Sequence, residues 1–296
     1  MKKSRFLRFE NTKLFESINY STDFVYFCNI KQYISGIVGM ERLLIIRNKY
    51  FSDYKRQQPV TIANRIERLA RKSHTEQDFR FYLISSSCNS SMIEGSSLTE
   101  DDYLKLKEAN LISKDMKEVD DIIASYQFAA SHDITEANIL KAHKTIAAHL
   151  NIPKAYQGKY RDRMVRVWSG REVVYTAART EIVEREMKKL AHDIALLVER
   201  KMDYDQIFYY ASMIHLVFVS IHPFADGNGR MARLLEKWFL HKKLGDLAWA
   251  IPSERLYFER RSSYYKNLGF RSDYSTIDYE QSIPFLKMLP MALNLK

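Results

Sequence analysis

The stretch DQIFYYASMIHLVFVSI, Asp205 to Ile221, constrains the fold more than any other part of the chain. It is long enough for a helix and apolar nearly all round, with Phe208, Tyr209, Met213, Ile214, Leu216, Val217 and Phe218 pointing in every direction. A helix without a polar face has to be surrounded by other elements, so it belongs at the centre of a bundle. Suitable neighbours are present. VTIANRIERLARK sets Ile62, Ile66 and Leu69 on one face, and EVDDIIASYQFAAS and EANILKAHKTIAAHL repeat the helical spacing. Nine glycines and six prolines in 296 residues leave little room for a turn-rich β fold. The expected class is all-α, in one large or two modest domains with a real core.

One segment departs from this pattern. RDRMVRVWSGREVVYTA, Arg161 to Ala177, carries β-branched and aromatic residues on both sides of Ser169-Gly170 and reads as a β-hairpin. A lone hairpin is marginal unless it packs on something or gains a partner strand. It either caps the bundle or offers an edge that holds an extended peptide through main-chain hydrogen bonds.

Composition narrows the partners only by sign. Lys and Arg exceed Asp and Glu by 46 to 36, a formal charge of +10 that suits anionic partners. The basic residues are interleaved with acids, as in EREMKK at Glu184 to Lys189, which reads as a solvated helix face and disfavours nucleic acid as the partner. Two cysteines, Cys28 and Cys88, do not make a disulfide framework. The N-terminus lacks the uninterrupted apolar segment of a secretory signal, and the apolar region from Phe24 to Ile46 is too broken by polar residues to span a bilayer. The expectation is a cytoplasmic protein with no membrane partner.

The central helix runs into SIHPFADGNGRMARLLEKWF, Ser220 to Phe239. Pro223 stops it, and a new helix begins near Gly229 with Met231, Leu234, Leu235, Trp238 and Phe239 on its apolar face. Gly227, Asn228 and Gly229 allow dihedrals that let successive backbone N–H groups converge on an anion at the helix N-terminus. Arg230 and Arg233, one turn apart, can clamp phosphate oxygens. Asp226 is placed to hold Mg²⁺ between itself and phosphates, and His222 is the group there suited to taking a proton near neutral pH. Together these are the parts of phosphoryl or nucleotidyl transfer. Other readings stand beside it. GNGRMA satisfies the dinucleotide fingerprint, but a helix and a proline precede it where a strand is needed. A transition-metal site lacks a third ligand at suitable spacing, His143 and His215 being packed helix histidines. A plain helix corner leaves the concentration of His, Asp, Asn and two Arg unexplained.

HPFADGNGRMAR, His222 to Arg233, resembles the signature of the Fic family of protein adenylyltransferases, complete over the motif. GKYR at Gly158 to Arg161 and the hairpin after it resemble the family's target-docking flap, and SSMIEG, Ser90 to Gly95, resembles its inhibitory-helix motif. The resemblance implies a Fic-type helical bundle with one hairpin flap: an N-terminal helical extension over 1–80, an inhibitory segment over 81–113, a catalytic core over 114–243 with its flap at 161–177, and a C-terminal helical segment over 244–296. It further implies ATP as cosubstrate with Mg²⁺, and transfer of AMP to a Ser, Thr or Tyr hydroxyl of a target protein, self-modification and a homodimer being compatible additions. The same site run in reverse would remove AMP; a non-catalytic nucleotide-binding regulator is the further alternative.

By that resemblance His222 is the base and Asp226 the Mg²⁺ ligand. Gly227, Asn228 and Gly229 contact phosphates, Arg230 with Arg233 grips them, and Tyr264 and Tyr265 border the nucleoside. Val165, Arg166 and Val167 form the docking strand, with the Val167 N–H offered to a target peptide. The helix carrying Ser90 and Glu94 is poor in helix formers, so packing must hold it, with Gly95 at its end. The expectation is that Ser90 orients Glu94 and that Glu94 pairs with Arg230, occupying the place of the terminal phosphate.

Overall fold

A computed structural model describes residues 42–58, 60–72, 74–169, 172–270 and 273–295. The chain divides into Met1–Arg42 and Leu43–Lys296, and all the described helices and strands belong to the second unit. The part of the expected N-terminal extension before residue 42, and Cys28 with it, lies outside the described residues.

In chain order the helices are α1 (Phe51–Arg56), α2 (Ile62–Ala70), α3 (Glu76–Ile93), α4 (Glu100–Glu108), α5 (Lys114–Ser131) and α6 (Glu136–Ile146). The hairpin β1 (Arg166–Ser169) and β2 (Glu172–Thr176) comes next, then α7 (Thr180–Glu199), α8 (Tyr204–Ile221) and α9 (Asn228–Leu244). Four short helices close the chain, α10 (Ser253–Glu259), α11 (Arg261–Asn267), α12 (Ile283–Leu286) and α13 (Met288–Ala292). The fold is all-α with one hairpin, as the glycine and proline economy requires.

Helix α8 is the central element: every residue from Ile207 to Ile221 is buried. Asp203 starts it through a capping box with Gln206, each satisfying a backbone N–H of the other. It packs most extensively on α9, itself buried from Arg230 to Leu240. Buried Asp193 on α7 receives the N–H groups of Leu44, Ile45 and Ile46 at 2.7, 2.8 and 2.8 Å, fastening the start of the unit to the bundle. Lys237 and Glu254, both fully buried, pair at 3.0 Å between α9 and α10.

Two of the three expected segment boundaries fall inside helices. That at 80/81 falls inside α3 and that at 243/244 in the last turn of α9. Ile93 of α3 and Leu256, Tyr257, Phe285 and Leu289 of the C-terminal helices share one core with α8 and α9. The apolar surface of these pieces has no other cover, so the bundle absorbs them.

The hairpin pairs Arg166 with Thr176 and Val167 with Tyr175, with a bulge between Val167 and Trp168. Tyr175 is 1% exposed. Its hydroxyl donates to the Ser220 carbonyl at 2.8 Å and its ring stacks on Phe270 at 4.5 Å, so β2 is the anchored strand. Beside β2 a single bridge joins Thr176 to Asp273. The outer edge of β1 has no paired strand among the described residues.

Candidate active site

The site is the corner between α8 and α9. His222 caps α8 in the left-handed conformation, φ 54° and ψ 58°, an uncommon one for a residue with a side chain. Gly227 caps the start of α9 with φ +77°, which glycine takes without a Cβ penalty. Asn228, the first residue of α9, clasps the loop between them: its side-chain amide accepts from the Phe224 N–H and donates to the Phe224 carbonyl, both at 2.9 Å. That side chain is therefore occupied, and an anion at this position would meet the Asn228 backbone N–H rather than its amide.

His143 on α6 holds the loop from outside. Its ring lies flat on Phe224, with centroids 3.5 Å apart. Nδ1 accepts from the Gly158 N–H and Nε2 donates to the Asp226 carbonyl, both at 3.0 Å. Burial pushes its pKa down to about 4, so it is the neutral imidazole that this pattern demands. The sequence marks it correctly as a packed histidine, but nothing in the sequence shows that it shapes the loop between α8 and α9.

His222 is half-buried, and its Nδ1 lies 3.3 Å from the Val219 carbonyl. A carbonyl can only accept, so Nδ1 carries the hydrogen and Nε2 keeps its lone pair. Desolvation is the main reason that its pKa falls to about 4, with Arg161 adding to it and the Val219 bond, Glu94 and Asp226 opposing. Asp226 is exposed, and one carboxylate oxygen accepts from the Gly227 N–H at 2.6 Å. No group of three or more metal-ligating side chains occurs among the described residues. A single exposed carboxylate beside an anion site suits Mg²⁺, which keeps several waters and takes phosphate oxygens, and does not suit a caged transition metal.

No side chain caps α9, so its first N–H groups lack intrahelical partners and its dipole favours an anion there. The anion found there belongs to the protein. A Cβ on Gly229 would come within 2.2 Å of the Glu94 Oε1, which places the Glu94 carboxylate directly against the first turn. Glu94 pairs with Arg233 at 2.7 Å. This corrects the expected partner: Arg230 instead donates to Glu118 of α5 at 3.0 Å, and its buried Nε has no hydrogen-bond partner.

Ser90 is corrected too. Its hydroxyl accepts from Arg233 Nε at 2.9 Å and its carbonyl accepts from Arg233 NH2 at 3.0 Å. Ser90 thus holds the arginine rather than the carboxylate, because Ser90 in the last turn of α3 and Glu94 at its C-cap both face the buried guanidinium. Burial alone would raise the Glu94 pKa, but Arg233 and, further off, Arg230 and His222 hold it below the usual carboxylate range. Arg233 is in turn held firmly charged by Glu94.

Helix α3 ends here in a Schellman turn. The Gly95 N–H donates to Met92 and the Ser96 N–H to Ser91, with Gly95 at φ +110°. The buried Ser86-to-Ile93 half of α3 leaves the Ser87 and Ser91 hydroxyls without partners. Packing rather than propensity holds it, as expected.

The two tyrosines part company. Tyr264 is 1% exposed. Its hydroxyl meets His215 at 2.9 Å and accepts from Arg233 NH1 at 3.4 Å, so it supports the arginine from within the core and presents no face to a nucleoside. Tyr265, 45% exposed, remains at the surface, and its hydroxyl donates to the Ile93 carbonyl at 3.2 Å.

Val165, Arg166 and Val167 lie on β1 and its approach. The Ala177 N–H donates to the Val165 carbonyl at 3.1 Å. Main-chain groups alternate along an antiparallel strand, so Val167 also faces β2, opposite Tyr175. The N–H at the open edge is that of Arg166, not Val167.

A helical bundle whose central helix turns through a glycine-bracketed corner into an uncapped helix N-terminus, with a histidine on one side and arginines on the other, has the geometry of an anion-holding site. Residues 133–240 match the sequence model of the family described as Fic/DOC. The chain carries a Fic domain of that family. Over 139 residues it is 28% identical to the protein adenylyltransferase Fic of Nematostella vectensis, a match over 47% of this chain that spans only 29% of that protein's length. Among solved structures it is similar to a Fic family protein from Desulfovibrio desulfuricans G20, with a TM-score of 0.66 and 25% identity over 83% of this chain and 72% of the other. Fic-1 from C. elegans shares the fold, with a TM-score of 0.58 and 18% identity over 93% and 74% of the two chains.

Proposed function

We propose that this chain transfers AMP from ATP to a hydroxyl of a protein and that Glu94 holds the transfer in check. The observation that carries the proposal is the Glu94 carboxylate seated between Gly229 and Arg233, an internal anion at the anion site of α9. The uncapped N–H groups of α9 would receive phosphate oxygens. Arg230, with its free Nε, would grip them from one side, and Arg233 would do so once it is released from Glu94.

His222 Nε2 would take the proton of the incoming hydroxyl as that oxygen bonds to the α-phosphorus and pyrophosphate departs. Asp226 would hold Mg²⁺, which supplies neutralisation of the phosphate charge when bound. The open edge of β1 would align the target segment beside His222 by main-chain pairing. With Glu94 in place, a second anion in the same position meets repulsion and finds Arg233 already taken, so ATP would bind only in an unproductive pose.

The test is transfer of α-labelled AMP to the protein itself, wild type beside Glu94→Gly at equal ATP and Mg²⁺. Glu94→Gly is expected to raise transfer at least about tenfold, equivalent to about 1.4 kcal/mol. Reduced transfer accompanied by loss of AMP removal from a pre-labelled protein would favour the reverse activity, with Glu94 positioning water. ATP binding without either reaction would favour a nucleotide-binding regulator.

A further inference from the structure

Arg161 is a buried cation to which the transfer chemistry assigns nothing. It is 3% exposed, and among the described residues no carboxylate pairs with it. Its donors go to backbone carbonyls from three places. Nε donates to His222 at 2.8 Å, NH1 to Arg163 at 2.7 Å, and NH2 to Ala178 and, at 3.4 Å, to Ile221. Its own N–H donates to the Pro223 carbonyl at 2.9 Å. Arg163 precedes β1 and Ala178 follows β2, so one guanidinium joins both feet of the hairpin to the left-handed corner that carries the base.

Burying a guanidinium without a counter-ion is costly, and an apolar side chain would hold a merely structural hairpin at less cost. Five donors in a planar fork, however, can fix three backbone segments at one set of angles. A non-glycine residue at positive φ persists only where its surroundings over-determine it. Three of the Arg161 contacts fall on Ile221, His222 and Pro223, the residues of that strained turn.

We infer that Arg161 is a positioning residue that makes the hairpin and the His222 turn one mechanical unit, so that a peptide paired along β1 arrives at a fixed distance from the imidazole. The role of the imidazole as base rests on the function proposed above; the mechanical coupling does not.

Native-state hydrogen exchange on the whole chain tests the coupling without any activity. The amides to follow are Ala177, which bonds to Val165, and His222, which bonds to Phe218. In the wild type the two should share one opening constant. Arg161→Lys keeps the charge but loses the fork, and it should speed exchange at both amides together by at least about tenfold. Calorimetric ATP affinity should be unchanged, which shows that the bundle still stands. In the Glu94→Gly background the same change should lower kcat for self-transfer and leave KM for ATP alone.

Faster exchange at Ala177 alone, or at neither amide, would overturn the coupling. Equal loss of ATP affinity and kcat would make Arg161 a plain core residue. Should Arg161→Lys fail to fold, separate opening constants for the two amides in the wild type would overturn the coupling by themselves. Coupled exchange with no AMP transfer in any variant would leave the coupling standing and remove the proposed function.

Discussion

The carboxylate of Glu94 fills the space that the missing side chain of Gly229 leaves. A Cβ at 229 would stand 2.2 Å from Glu94 Oε1 and 3.2 Å from an Arg233 nitrogen, so glycine there is a condition of the Glu94–Arg233 pair. Gly229→Ala should therefore destabilise the wild type by about 1–3 kcal/mol, as overpacking does. The same change should cost far less in a Glu94→Gly background, because the two residues are in contact and their effects are not additive. Denaturant unfolding of the four proteins in the cycle checks this. Equal costs in both backgrounds would place the carboxylate elsewhere in solution.

His222→Ala should lower AMP transfer about 10²–10⁴-fold, the usual loss on removing a general base. ATP binding should persist, since the imidazole acts on the incoming hydroxyl. Asp226→Ala should instead abolish the Mg²⁺-dependent transfer itself. Kinetics in the Glu94→Gly background, with and without chelator, separate the two. Undiminished turnover without His222 would remove its role as base.

Acid should weaken the fold before it protonates the carboxylates. Burial lowers both His143 and His222 to about 4 from the ordinary 6.5. Between those values the unfolded chain binds more protons than the folded one. Stability is then lost as pH falls from 6.5 towards 4, at up to about 1.4 kcal/mol per pH unit for each group. His143→Gln should flatten that slope by about one proton's worth. Unfolding curves at pH 7 and pH 5 measure it, and an unchanged slope would show that His143 is not held neutral.

Arg166→Pro should weaken transfer to a target protein more than it weakens nucleotide binding, because it removes an N–H from the open edge of β1. Val167→Pro should damage the hairpin itself, since Val167 faces Tyr175. Near-ultraviolet circular dichroism and ATP titration distinguish the two variants. Identical behaviour would mean that the edge offers no main-chain pairing.

The fold was legible because its signals are local. An all-apolar run places α8, β-branched and aromatic residues on both sides of a Ser-Gly pair place the hairpin, and the glycines of the corner place the anion site. Contacts that depend on which helices lie side by side were not legible. Arg230 and Arg233 are one turn apart and chemically alike, and only the packing of α3 and α5 on α9 decides that Glu94 takes the second and Glu118 the first. For the same reason Tyr264 could not be told from its neighbour Tyr265, although one is core and the other surface. His143 and Arg161 act on backbone carbonyls distant in sequence, and no residue pattern encodes such a bond.

The partnerless hydroxyls of Ser87 and Ser91 on α3 bear on how this protein can be broken. The helix that brings Glu94 to the corner is stitched down incompletely, while the corner itself is braced by His143, Asn228 and Arg161 from several sides. If Glu94 restrains transfer as proposed, damage that loosens α3 would uncover the machinery beneath rather than destroy it. In a mutational survey scored by growth of the host, harmful variants should gather along α3 and at Gly229, and the same variants should become harmless once His222 is removed.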